Sequence, residues 1–218
     1  MTERATPAVD VADLVRTERL ALVDLLETLT DSEWETQSLC SAWRVQDVAA
    51  HLAWAPALPI LAGLPALVRA GFRVNRFIAD SAVRWSSRGR PAILEQLRSN
   101  AATGVRPTGM PPAAALSDAL VHGLDIRRPL GRTRPVPEDG FRLVADWCAG
   151  LGWPMGGPLG GSVRRRLRGL RLVAVDTGWS HGRGDEVRGG REALLLALHG
   201  RPVRPGELTG PGASRLIR

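Results

Sequence analysis

The chain has only four histidines, His51, His122, His181 and His199, and His122 follows a carboxylate at helical spacing. Asp118 and His122 lie four residues apart in a stretch whose apolar content predicts a helix over about 112–126. Residues at i and i+4 leave a helix from the same face, one turn apart. A carboxylate oxygen and an imidazole nitrogen so placed can chelate one cation. Ala115, Ala119, Gly123 and Ile126 on that face are small or apolar, and Leu116, Leu120 and Leu124 make the other face apolar too. The helix is therefore expected to be buried all round. A buried Asp and His need partners against their desolvation cost, and a metal ion would serve both. The pair alone does not decide the matter, because an Asp-x-x-x-His pair is more often hydrogen-bonded or exposed. A third ligand is required. His51 lies on a predicted helix at about 45–54 with Val45, Val48 and Leu52, and by itself reads as an ordinary structural histidine.

The elements that must position these residues read as follows. Residues 9–29 carry Val11, Leu14, Val15, Leu22, Leu25, Leu26 and Leu29 at amphipathic helical spacing. Glu18 interrupts that stripe and is expected to snorkel to its edge, the alternative being a polar site inside the bundle. Thr30 and Glu33 have the spacing of a capping box. Further helices are expected at about 60–87, from Pro91 to about 103, at 112–126 and at 138–150, with Gly and Pro between them. Residues 153–169 are rich in Gly and Arg and read as a linker. Residues 170–176 read as a strand, GREALLLALHG as a helix closed by Gly200, and Ser214–Ile217 as a short strand. The expected architecture is mainly α: a helical domain over 1–155, then a small α/β domain over 156–218.

Bulk composition narrows the function. The net charge is +7, and the 29 basic residues are all arginine, with no lysine or tyrosine. Abundant Ala, Gly, Pro and Arg are the mark of a GC-rich coding sequence, so the charge is weak evidence for nucleic acid. The densest run, Arg164-Arg165-Arg166-Leu167-Arg168, lacks interleaved aromatics for base stacking. Nucleic-acid binding is not the expected role. The apolar stretch from Ala53 to Val68 is broken by Pro56, Pro59 and Pro65, which argues against a membrane span. The N-terminus lacks a signal-peptide core, and Cys40 and Cys148 form no CxxC. A cytoplasmic protein is expected, as monomer or homodimer, with both cysteines read as buried apolar residues.

Two stretches carry a family resemblance. Cys40-Ser-Ala-Trp-Arg-Val-Gln-Asp-Val-Ala-Ala-His51-Leu resembles the "G-W-T-V-x-D-V-x-A-H-L" signature of the mycothiol-dependent maleylpyruvate isomerase family, which belongs to the DinB-like four-helix bundles. Asp118-Ala-Leu-Val-His122-Gly-Leu-Asp125-Ile-Arg127-Arg-Pro129-Leu-Gly131 resembles its second signature, "E-x-x-x-H-x-x-D-x-x-x-P-L-G". Asp176-Thr-Gly-Trp179 and Leu198-His-Gly200-Arg201 are similar to its small C-terminal domain, so the resemblance spans nearly the whole chain.

The resemblance implies a divalent metal, zinc by the donor types, held by His51, Asp118 and His122 with one coordination position open. It departs at Asp118, where the family usually has the longer Glu. Asp125 is then expected either to orient a ligand histidine or to pair with Arg127 or Arg128. The implied reaction uses mycothiol as cosubstrate: its thiolate adds to a conjugated double bond of a small electrophilic acid, as isomerase or thiol transferase. Such chemistry asks no cysteine of the protein. A carboxylate substrate needs a cation, for which Arg201 is the candidate, with a surface arginine at a helix end as the alternative. The same scaffold could instead belong to a non-catalytic metal-, thiol- or ligand-binding protein. His181 lies in a Gly-rich loop and is given no role, the alternative being that it lines the cleft; His199, in the last turn of a helix, is assigned no function.

Overall fold

The computed structural model describes residues 10–58, 65, 68, 73–107, 109–152 and 162–217. Helix α1 (Val11–Glu27) starts where the Asp10 carboxylate accepts the Ala12 N–H, and its apolar stripe buries Val15, Leu22, Val23 and Leu26. Each such side chain contributes about 1.5–3 kcal/mol through burial. The Thr30/Glu33 capping box opens the one-turn helix α2 (Asp31–Trp34), as the spacing predicts. Helix α3 (Val45–Trp54) begins with Asp47 accepting the backbone N–H of Arg44 at 3.0 Å and its Nε–H at 3.1 Å. The signature aspartate is thus a helix cap. Helix α4 (Val74–Ser86) starts after an extended Arg73, so the single helix expected over 60–87 is broken there; residues 59–64, 66–67 and 69–72 lie outside the described residues. Helix α5 (Arg90–Thr103) has Pro91 in its first turn, where a missing N–H costs nothing, and Gly104 ends it in the left-handed conformation. Helix α6 (Pro112–Arg127) is buried almost throughout, as its two apolar faces predict.

Helices α1, α5, α3 and α6 pack in a ring, each against the next, and α4 lies on α3. One apolar core fills the α1–α3–α5 side with Leu22, Leu26, Trp34, Trp43, Val48, Ile93 and Leu97. Helix α7 (Glu138–Ala149) packs on the outside of α6 and opens a second core, which continues into the C-terminal sheet.

That sheet differs from the expectation of one strand and a late second one. Its order is β2-β1-β3-β4, with β1 (Leu170–Ala174), β2 (Ser180–Gly182), β3 (Asp185–Gly189) and β4 (Leu208–Thr209). β1 is antiparallel to β2 and parallel to β3, and β3 is antiparallel to β4. β2 and β3 escape the pattern because they are short, polar and rich in glycine. Gly184 (φ +125°) lets the chain pass from β2 to β3 against the start of β1, where a Cβ would sit 2.2 Å from the Gly169 carbonyl. Helix α9 (Arg191–Leu198) covers the sheet.

Three further expectations are corrected. Ser214–Ile217 is not a strand; Ala213–Arg215 is a 3₁₀ turn, because Gly212 meets β1 and β3 and the chain turns there. The stretch read as a linker contains a one-turn helix, α8 (Val163–Arg166), capped by Ser162, while residues 153–161 lie outside the described residues. Glu18 is buried at 4% exposure rather than at the edge, and accepts two hydrogen bonds from Arg134 at 2.9 and 3.1 Å.

Candidate metal centre

α3 and α6 face each other across the bundle and bring three donors together. His51 Nε2 lies 3.8 Å from Asp118 Oδ2, and His122 Nε2 lies 3.6 Å from Asp118 Oδ1. One ligand atom from each residue falls within 4.8 Å of the others. In a tetrahedral site with bonds near 2.0–2.1 Å, ligand atoms stand about 3.3–3.5 Å apart, so the two histidine–aspartate distances need only a small contraction. The imidazole rings are edge-on, 5.0 Å apart, and Trp43 packs against both, at 5.0 Å from His51 and 5.8 Å from His122. Both histidines are buried, while the Asp118 side chain keeps 36% exposure and is the solvent side of the cluster. The buried Nδ1 of His51 has no hydrogen-bond partner among the described residues.

Behind His122 stands a second tier. Asp125 is fully buried and accepts from His122 Nδ1 at 2.8 Å. It also takes Arg201 Nε at 2.9 and 3.1 Å and Nη2 at 3.0 Å. Of the two readings of Asp125, the ligand-orienting one matches this geometry; Arg127 and Arg128 bind elsewhere, to the Ala21 carbonyl and to Glu192 and Glu207. Arg201 is delivered by the end of α9. Gly200 (φ +66°) follows the last helical residues, Gly200 N–H donates to the Ala197 carbonyl, and Arg201 N–H donates to that of Leu196. This is the Schellman closure, and it aims the next side chain back at the bundle.

Sequence reasoning missed Cys40. Its thiol donates to Asp125 Oδ2 at 3.0 Å, accepts from Arg201 Nη2 at 3.2 Å and lies 3.9 Å from His122 Nδ1. It is half-buried among polar groups, not an apolar filler. The signal was its place at the head of the first signature, on the loop that leads into α3. Cys40, His122 and Asp125 also stand close enough for a cation. The Arg201 guanidinium already occupies that environment, and it opposes a second positive charge there. Cys148 is buried, with its thiol pushed up to about 12 by burial.

The electrostatics fit the first cluster as a cation site. Burial opposes ionisation of Asp118, but His51, His122 and Arg19 outweigh it and hold its carboxyl down at about 2. Burial likewise disfavours charge on His122. Asp125, Cys40 and Asp118 overcome that and push it up to about 10.

His181 and His199 lie apart from this cluster. His181 stands on the edge strand β2, stacked on Trp179. His199 is buried and hydrogen-bonds Ser117.

Residues 15–127 match the family model of the mycothiol maleylpyruvate isomerase N-terminal domain, more than half of the chain. The fold is similar to the crystal structure of a mycothiol-dependent maleylpyruvate isomerase, with a TM-score of 0.59 and 14% identity over 93% of this chain and 92% of that one. A crystal structure of a histidine-to-alanine mutant of a mycothiol-dependent maleylpyruvate isomerase matches with the same figures. At that identity the likeness shows a shared fold. No curated protein matches the chain.

Proposed function

Because the chain belongs to the mycothiol maleylpyruvate isomerase family, we propose that it is a metal-dependent enzyme that uses mycothiol to act on a small unsaturated or electrophilic acid. The observation that carries this reading is the convergence of His51, Asp118 and His122 with His122 braced by Asp125. Two histidines and a carboxylate with an open side are the donor set of catalytic zinc. When bound, the ion supplies a Lewis acid that keeps a thiol ionised near neutral pH.

The protein's own groups do the rest. Asp125 accepts the Nδ1 proton of His122, which fixes the tautomer and leaves Nε2 as a lone-pair donor. Arg201 balances the Asp125 charge. Trp43 limits the motion of both imidazoles, and the exposed edge of Asp118 marks where thiol and substrate approach. The thiolate sulfur adds to the activated carbon–carbon double bond. Rotation about the resulting single bond and departure of the thiolate give the isomer, while protonation of the carbanionic adduct gives the thiol transferase outcome. Cytoplasmic placement suits a thiol kept reduced. No described helix is long and apolar enough to cross a membrane.

Purified protein is expected to hold about one zinc or similar ion per chain, and His122→Ala to lose it. Metal retained in that variant would overturn the ligand assignment. Turnover of a panel of cis-enoic acids that depends on added mycothiol distinguishes the enzyme from a non-catalytic binder on the same scaffold.

A further inference from the structure

Two groups that serve the candidate centre come from one short loop. Trp43, which packs against His51 and His122, and Cys40, whose thiol meets Asp125 and Arg201, both lie between α2 and α3. The loop is pinned from inside. The Trp43 N–H donates to the Cys40 carbonyl at 2.9 Å, the Ser38 hydroxyl donates to the Trp43 carbonyl at 2.7 Å, and the Cys40 N–H donates to that hydroxyl at 3.1 Å. It is also tied to the end of α6, where the Leu39 N–H donates to the Asp125 carbonyl at 3.1 Å. The backbone that carries the Cys40 thiol is therefore fixed against Asp125.

The thiol closes a triangle of bonds. It donates to Asp125 Oδ2 at 3.0 Å and accepts from Arg201 Nη2 at 3.2 Å, while Arg201 Nη2 donates to the same Oδ2 at 3.0 Å. Oδ2 is also the atom that accepts from His122 Nδ1, at 2.8 Å. Arg201 Nε reaches both carboxylate oxygens, at 2.9 and 3.1 Å, so it does not select which of them faces His122. A carboxylate held by a guanidinium alone can turn about its Cβ–Cγ bond and carry Oδ2 off the imidazole. The S–H adds a directional donor at Oδ2, and the sulfur accepts from the guanidinium at the same time. Both bonds are to ionised partners, which strengthens them. An apolar side chain of similar size fills the space and supplies neither bond.

We propose that Cys40 is a positioning residue of the metal centre: its thiol keeps the Asp125 carboxylate and the Arg201 guanidinium in register, so that Oδ2 stays on His122 Nδ1 and Nε2 stays turned to the cation. Cys40 acts through Asp125 and supplies no ligand to the ion. The inference rests on the metal site proposed above. Its rival is a packing role, in which Cys40 only seats the loop that carries Trp43.

The test is zinc affinity, read by competition with a chromophoric chelator, on wild type, Cys40→Val, Cys40→Ser, Asp125→Asn and the double variant of Cys40→Val with Asp125→Asn. Cys40→Val is expected to weaken zinc binding about tenfold, the low end for an outer partner of a metal ligand. Cys40→Ser keeps a group that both donates and accepts, and should stay within about threefold of wild type. In the Asp125→Asn background, Cys40→Val should change affinity by less than about twofold, because residues that act through one partner are not additive. A packing role predicts the opposite pattern, with serine no better than valine and the same loss in both backgrounds. Either result overturns the inference. Should Cys40→Val fail to fold, Cys40→Ala takes its place with the same expectations. Zinc held equally by wild type and Cys40→Val sinks this inference alone. A wild type that takes up no zinc sinks the metal reading, and this inference with it.

Discussion

Asp125 holds three groups at once: the imidazole of His122, the guanidinium of Arg201 and the thiol of Cys40. Its carboxyl is held well below the ordinary range because His122 and Arg201 outweigh the burial that opposes its charge. Replacing it by Asn keeps the shape and removes the charge, leaving Arg201 without its counter-ion. Asp125→Asn is expected to lower metal affinity about tenfold to a hundredfold, read by competition with a chromophoric chelator. The same variant should lose about 3–5 kcal/mol of stability in urea unfolding, since breaking one partner of a buried pair costs about that much. Full affinity in Asp125→Asn would show that His122 needs no brace. Trp43 offers a gentler probe: Trp43→Leu removes the aromatic wall from both histidines while leaving every ligand atom, and should weaken metal binding less than Asp125→Asn does.

At the scale of elements, two helix ends aim the site. The Asp47 carboxylate closes the N-terminus of α3 and sets the direction in which His51 leaves it, one turn later. Asp47→Ala should cost about 1–2 kcal/mol, the worth of a good N-cap, visible as a lower denaturation midpoint. At the other end of the chain, Gly200 adopts φ +66°, which an L side chain enters only at a cost. Gly200→Ala should destabilise by about 1 kcal/mol. It should also weaken metal binding, because the turn that sends Arg201 toward Asp125 is the one disturbed. An unchanged metal affinity in Gly200→Ala would separate the α9 turn from the centre.

At the scale of the molecule, the bundle and the C-terminal segment share a buried polar contact at His199, besides the pairing of Arg201 with Asp125. His199 Nδ1 donates to the Leu195 carbonyl at 2.8 Å, so Nε2 is the acceptor for the Ser117 hydroxyl at 2.7 Å, one residue from Asp118. Burial pushes the His199 pKa down to about 4, and the nearby Arg201 charge adds to this. The unfolded chain titrates this group near 6.5, so between pH 6.5 and 4 only the unfolded state takes up the proton. Stability from this source is complete above 6.5 and falls as the pH drops through that window, by an amount on the order of 2–3 kcal/mol. Urea unfolding at pH 7 and pH 5 measures it. His199→Asn should flatten the difference between the two pH values, and an equally steep loss in the variant would assign the acid sensitivity to other groups.

Periodicity was enough for α1, α5, α6, α7 and α9, since a buried helix face leaves a mark at every third or fourth residue. It also predicted the all-round burial of α6 and the inward face shared by Asp118 and His122. It could not bring His51 to them, because contact between α3 and α6 is set by packing across the bundle; the signature around His51 supplied that expectation. Short glycine-rich strands went unread because their positions are fixed by close backbone approach, which leaves no hydrophobic alternation. Cys40 and the true surroundings of Glu18 and Arg201 lay beyond local sequence for the same reason. Whether a charged side chain is solvated, paired or buried depends on groups some 80 to 160 residues away. The sequence by itself determined which helices form and which residues could bind a cation. Only the tertiary structure decided that Asp125 already balances Arg201 and that Glu18 is buried against Arg134, because charge balance is settled by three-dimensional neighbours.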